Sequence, residues 1–178
     1  MNEQRTGHRR IDRIRDPAFI DGVDTLSLDD LRARRDECLA EREYLSLLRR
    51  LVQGRAEILR AELDARGSDE DRGPLVDRLA AILAGDEQSG SSRGEALKIG
   101  LPEEEMLLAR RRIERLVADA GISDPQTLDD DQLVEAVDIL AREEQTVSEA
   151  RAAVISVLDT VQDEIKRRYK EDPSRVLQ

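Results

Sequence analysis

Two long stretches of the chain place an apolar residue at every seventh position. In the first the stripe is Leu31, Cys38, Leu45, Val52 and Leu59; in the second it is Leu133, Leu140, Val147, Val154 and Val161. The companion positions are mixed, with Leu48, Ala56 and Leu63 in the first and Val137, Ala150, Val157, Leu158 and Ile165 in the second. Five heptads with an apolar seam predict coiled-coil packing. Start and stop signals bound the elements. Ser27, followed three residues on by Asp30, reads as the N-cap of a long helix over about 28–66, with Gly67 as its stop. Such a helix is about 60 Å long. Pro74 and Gly85 bracket a shorter helix over about 74–84, and the Gly- and Ser-rich residues 85–101 read as a linker. Pro102 and three glutamates open a helix over about 102–120 that ends before Gly121. Thr127 reads as the cap of the second long helix, over about 128–170, with Pro173 as its stop and residues 173–178 as a tail.

The connection of roughly 60 residues between the long helices carries the two shorter ones and returns the chain, so the long helices pair antiparallel. The expected fold is therefore all-α. It is a hairpin of two long helices with two shorter helices in the connection, forming a single helical domain over residues 23–172. Residues 1–22 are polar, Arg-rich and without periodicity, and read as a mobile arm.

Composition agrees with helices and narrows function. Ala, Glu, Lys, Leu and Arg make up 89 of the 178 residues, the level at which a long-helix architecture leads. Phe19, Tyr44 and Tyr169 are the only aromatic residues, which argues against a platform that stacks bases on rings. One histidine, His8, and one cysteine, Cys38, leave no metal cluster, no catalytic triad and no internal disulfide, so an enzyme is not expected. Cys38 falls on the seam, where a small buried hydrophobe is the simpler reading than a reactive thiol. No apolar run is long enough to span a bilayer, and MNEQRTGHRR has no apolar stretch behind its charges, so a cytoplasmic protein is expected. The net charge of −11 disfavours direct DNA binding and suits a basic protein partner.

The long stretches also align with each other. Residues 25–66 match 127–168 at a constant offset of 102, with 11 identical pairs in 42 positions. Seam identities such as Val52/Val154 follow from the heptad alone. Ser46/Ser148 and Arg49/Arg151 do not, because serine is neither a core residue nor a good helix former. On the same face lie Arg42, Ser46, Arg49, Gln53 and Glu57 of the first helix, and Glu144, Ser148, Arg151, Ile155 and Asp159 of the second. Steps of four, three, four and four residues keep each set within about 80° of arc. In most coiled coils such a rim is a solvated, salt-bridged face. Here its chemistry points further. Arginine forks onto guanine O6/N7 or phosphate, carboxylates accept from guanine N1–H and N2–H₂, and serine and glutamine complete such contacts. Gly54, with Ser156 at the equivalent position, keeps the backbone beside the first stripe open to close approach.

At these residues the sequence resembles a known family. LSL (Leu45–Leu47) followed by RRLVQGR (Arg49–Arg55), and EQTVSEAR (Glu144–Arg151) followed by VLDTVQDEIKRRYKED (Val157–Asp172), resemble the first- and last-helix signatures of the actinobacterial RsiG family. These are cyclic-di-GMP-responsive anti-sigma factors, also called aerial mycelium formation proteins. Their motif, E-x3-S-x2-R-x3-Q-x3-D, occurs on each helix of an antiparallel pair, and the resemblance spans about residues 15–172. It implies that the two stripes bind a cyclic-di-GMP dimer and that the loaded protein sequesters a WhiG-type sporulation sigma factor. By position, Ser46, Arg49 and Gln53 match in the first copy, and Glu144, Ser148, Arg151 and Asp159 in the second. Arg42 stands where the family has Glu, Glu57 where it has Asp, and Ile155 where it has Gln. An Arg:Lys ratio of 26 to 3 fits a GC-rich genome such as an actinobacterial one. Two other readings compete: a partner-binding coiled coil that has lost nucleotide control, and a purely structural helical scaffold.

Overall fold

A computed structural model describes residues 5–67 and 101–172. The expected helix over 74–84, nearly all of the linker over 85–101, and the tail over 173–178 lie outside the described residues. Those described are almost wholly helical and contain no strand. The α-helices are α1 (Arg5–Arg15), α2 (Leu28–Gly67), α3 (Glu103–Asp119) and α4 (Asp130–Glu171), with 3-10 turns at Pro17–Phe19, Val23–Thr25 and Pro125–Thr127.

The chain divides into two compact units. Among the described residues the first comprises 5–49, 101–109 and 145–172, and the second 50–67 and 110–144. In the first unit Leu31 packs with Val161 and Ile165, and Ser46 bonds to Arg151. Advancing along α2 therefore means retreating along α4. The second unit shows the same antiparallel order, with Gln53 bonded to Glu144 and Arg66 to Asp130. All ten seam residues named above are at most 3% exposed, so the sevenfold stripe is the core. Of the mixed positions Leu48, Ala56, Leu158 and Ile165 are buried, and Leu63, Val137, Ala150 and Val157 are half-buried.

The caps follow the sequence at one helix and depart from it at the other. Ser27 Oγ accepts from the Asp30 amide at 3.0 Å, and its hydroxyl donates to the Asp30 carboxylate at 2.6 Å. For α4 the cap is Asp129, not Thr127. Asp129 Oδ1 accepts from the Gln132 amide at 2.8 Å, and Gln132 Oε1 accepts from the Asp129 amide at 2.9 Å, a reciprocal capping box. Thr127 ends the preceding 3-10 turn, its hydroxyl donating to the Asp124 carbonyl at 2.8 Å. With its hydroxyl committed to that turn, Thr127 stands short of the helix, and Asp129 directly precedes α4 at Asp130. At the end of α3, Gly121 adopts a left-handed φ of 68°, and the Ile122 amide bonds to the Val117 carbonyl at 2.9 Å. Burial of both Val117 and Ile122 closes this Schellman-type stop.

Within the segment 1–22, expected as a mobile arm, residues 5–22 are described and carry a helix and buried contacts. Residues 5–15 form α1, Ile14 is 1% exposed, and Phe19 is buried beneath the Arg34 guanidinium, 5.3 Å from the ring centroid. Arg10 donates to Glu41 on α2 and forks onto Glu105 on α3 at 2.8 and 2.9 Å. The apolar periodicity of so short a helix reduces to Ile11 and Ile14. Its anchoring combines one buried isoleucine with ion pairs from Arg10 and Arg13, too little apolar signal for hydropathy alone to reveal it.

Candidate functional site

The repeat reaches further back than residues 25–66. At the same offset Arg9, Arg10, Ile11 and Arg13 coincide with Arg111, Arg112, Ile113 and Arg115, so α1 corresponds to part of α3. Contacts within one unit recur within the other. In the first unit Arg10 meets Glu41; in the second Arg112 meets Glu143 at 2.7 Å. In the first, Arg168 pairs with Glu164 at 2.7 Å and donates to the carbonyls of Leu26 and Val23. In the second, Arg66 pairs with Glu62 at 3.0 Å and donates to the carbonyls of Leu128 at 2.6 Å and Pro125 at 3.1 Å. The identities Glu62/Glu164 and Arg66/Arg168 are therefore clamps, each tying the end of one long helix to the turn that precedes the other. Glu164, 9% exposed, is held at about 2, chiefly by Arg167 and then by Arg168.

The Ser46/Ser148 and Arg49/Arg151 identities belong to none of the seam, caps, clamps or short-helix contacts. In the first unit Arg42, Ser46 and Arg49 on α2 and Ser148 and Arg151 on α4 are all half-buried. The Ser46 hydroxyl donates to the Arg42 carbonyl at 2.7 Å, and its oxygen accepts from Arg151 Nε at 3.0 Å. Serine here returns its proton to the helix backbone and offers its lone pair across the seam. Asp159 lies on the same helix and is exposed. In the second unit Gln53 Nε2 donates to Glu144 at 2.6 Å, both half-buried, and Glu57 is exposed one turn on. Each unit thus joins predicted residues from both long helices: Ser46 with Arg151 in one, Gln53 with Glu144 in the other.

Two neighbours bear on how a ligand would meet these side chains. A Cβ added at Gly54 meets nothing within 4 Å, so no packing contact requires glycine there. Cys38 is fully buried and its thiol is pushed up to about 11 by that burial, which leaves little thiolate near neutral pH. The aromatic residues are structural, Phe19 under Arg34 and Tyr169 accepting from Arg32 at 3.1 Å. Among the described residues no helix is long and apolar enough to cross a membrane.

These features define an all-helical protein that repeats a short helix, a turn and a long helix, with Ser, Arg, Gln and Glu aligned beside the seam. The RsiG-like family model matches residues 17–83 of the chain. That match contains the Arg42–Glu57 stripe and ends before Glu144. No curated protein matches the chain. RsiG-like proteins are regulatory anti-sigma factors rather than enzymes.

Proposed function

We propose that the chain is an anti-sigma factor whose polar stripes bind cyclic-di-GMP, and that the loaded protein holds a WhiG-type sporulation sigma factor inactive. The observation that carries this reading is the pairing of Ser46 with Arg151 across the two long helices. It involves a serine repeated off the seam, where neither core packing nor helix propensity selects it, and an arginine that reaches it from the facing helix. Guanidinium, hydroxyl, amide and carboxylate groups supply the contacts a guanine nucleotide needs without aromatic stacking. The family match supplies the sigma-factor side of the reading, and the net charge of −11 favours a basic, DNA-binding protein as the captured partner.

Calorimetric titration of the purified chain with cyclic-di-GMP, with and without the sigma factor, tests the proposal. Heat is expected, with Arg49→Ala and Arg151→Ala each weakening binding and added salt weakening it further. Absence of heat under both conditions overturns nucleotide control, and unchanged affinity in both variants removes these residues from the site. A second reading, sigma capture without nucleotide, is favoured by Arg42 and Ile155, which replace an acceptor and an amide. It predicts pull-down of the sigma factor that is indifferent to cyclic-di-GMP.

A further inference from the structure

The two ends of the polar stripe are chemically unequal. In the second unit Gln53 donates to Glu144 at 2.6 Å. At the offset of 102, Gln53 corresponds to Ile155 and Glu144 to Arg42, and both of these lie in the first unit. The Ser46–Arg151 bond sets the register there. Arg42 stands one turn before Ser46 on α2 and Ile155 one turn after Arg151 on α4, so antiparallel pairing sets them opposite each other, both half-buried. The acid–amide pair therefore occurs once, and its counterpart is a cation facing an aliphatic side chain.

The substitution changes what each pair recognises. Glu144 with Gln53 presents acceptors for the N1–H and N2–H₂ donors of guanine and an amide N–H for its O6. Arg42 has donors only, and Ile155 has neither donor nor acceptor. Setting guanine donors against Arg42 and Ile155 strands buried polar groups and brings N–H onto N–H, a strong penalty where a hydrogen bond was required. Resting on the function proposed above, we infer that Arg42 and Ile155 limit the chain to one cyclic-di-GMP, read at Gln53 and Glu144, instead of the two that a symmetric stripe accepts.

Calorimetric stoichiometry decides it, with circular dichroism as a check that each variant remains helical. The unsubstituted chain is expected to bind one equivalent of cyclic-di-GMP, the Arg42→Glu/Ile155→Gln variant two, and the Gln53→Ile/Glu144→Arg variant none. Two equivalents on the unsubstituted chain overturn the inference and leave the proposed function intact, as does a single equivalent on a folded Arg42→Glu/Ile155→Gln chain. No heat from either of those two chains overturns inference and function together. Heat from the Arg42→Glu/Ile155→Gln variant alone overturns the one-equivalent limit and nucleotide control of the unsubstituted chain. The stoichiometry of the unsubstituted chain is a sufficient test if that variant does not fold.

Discussion

Arg10 and Arg112 occupy equivalent places in the repeat and hold equivalent carboxylates in different surroundings. The Glu41 side chain is 1% exposed and Arg10 19%; Glu143 is 20% exposed and Arg112 39%. Burial pushes the Glu41 carboxyl above its usual range while the Arg10 hydrogen bond pulls it back, so the arginine keeps an otherwise costly charge acceptable. Arg10→Ala strands that carboxylate. Breaking a buried pair costs roughly 3–5 kcal/mol, and the partial exposure of Arg10 places this one near the lower end, about 3 kcal/mol. Arg112→Ala removes a surface pair worth about 0–1 kcal/mol. In urea unfolding followed by far-ultraviolet circular dichroism, at a slope of about 2 kcal/mol/M, the first variant should lose about 1.5 M in midpoint and the second under about 0.5 M. Because a raised carboxyl penalises folding only when ionised, the Arg10→Ala loss should be full near neutral pH and shrink as pH falls towards about 4. Replacing both partners, as Arg10→Met/Glu41→Leu, should recover most of it. Equal midpoint losses in the two single variants, or a pH-independent loss, would refute this account of α1.

Three further expectations follow from single contacts. Gly54→Ala should raise stability by about 1 kcal/mol, or about 2–4 °C in Tm, because a helical glycine is replaced where the added Cβ meets nothing. The same variant should weaken cyclic-di-GMP binding if the nucleotide approaches the backbone there, and unchanged affinity by calorimetry would separate Gly54 from the site. Glu164, held at about 2 against an ordinary 4.5, contributes stability that is complete above about pH 4.5 and fades as pH falls towards 2. Glu164→Gln should flatten acid unfolding in that window, and an unaltered acid profile counts against the clamp. Asp129→Ala should cost about 1 kcal/mol and Thr127→Ala much less, so the reverse order in thermal melts would restore Thr127 as the cap.

Much of the candidate stripe is legible in the sequence because helices convert sequence spacing into faces. The offset of 102 picks out Ser46 and Arg151, which meet at 3.0 Å. The stripe picks out Gln53 and Glu144, which meet as well. The clamps were visible only as identities, Glu62/Glu164 and Arg66/Arg168, since an arginine that caps a distant carbonyl has no local signature. The role of α1 was missed, although RRI at Arg9–Ile11 and again at Arg111–Ile113 carried the signal. An alignment confined to the heptad stretches does not reach it.

Local periodicity was enough to determine the helical class, the seam and the polar stripe, because side-chain direction in a helix depends on nothing beyond the residue's own position. Tertiary structure decided which charges are buried, which turns the arginines hold, and which residue of one helix faces which of the other. Those depend on long-range register. That register turns two isolated departures, Arg42 and Ile155, into a facing pair.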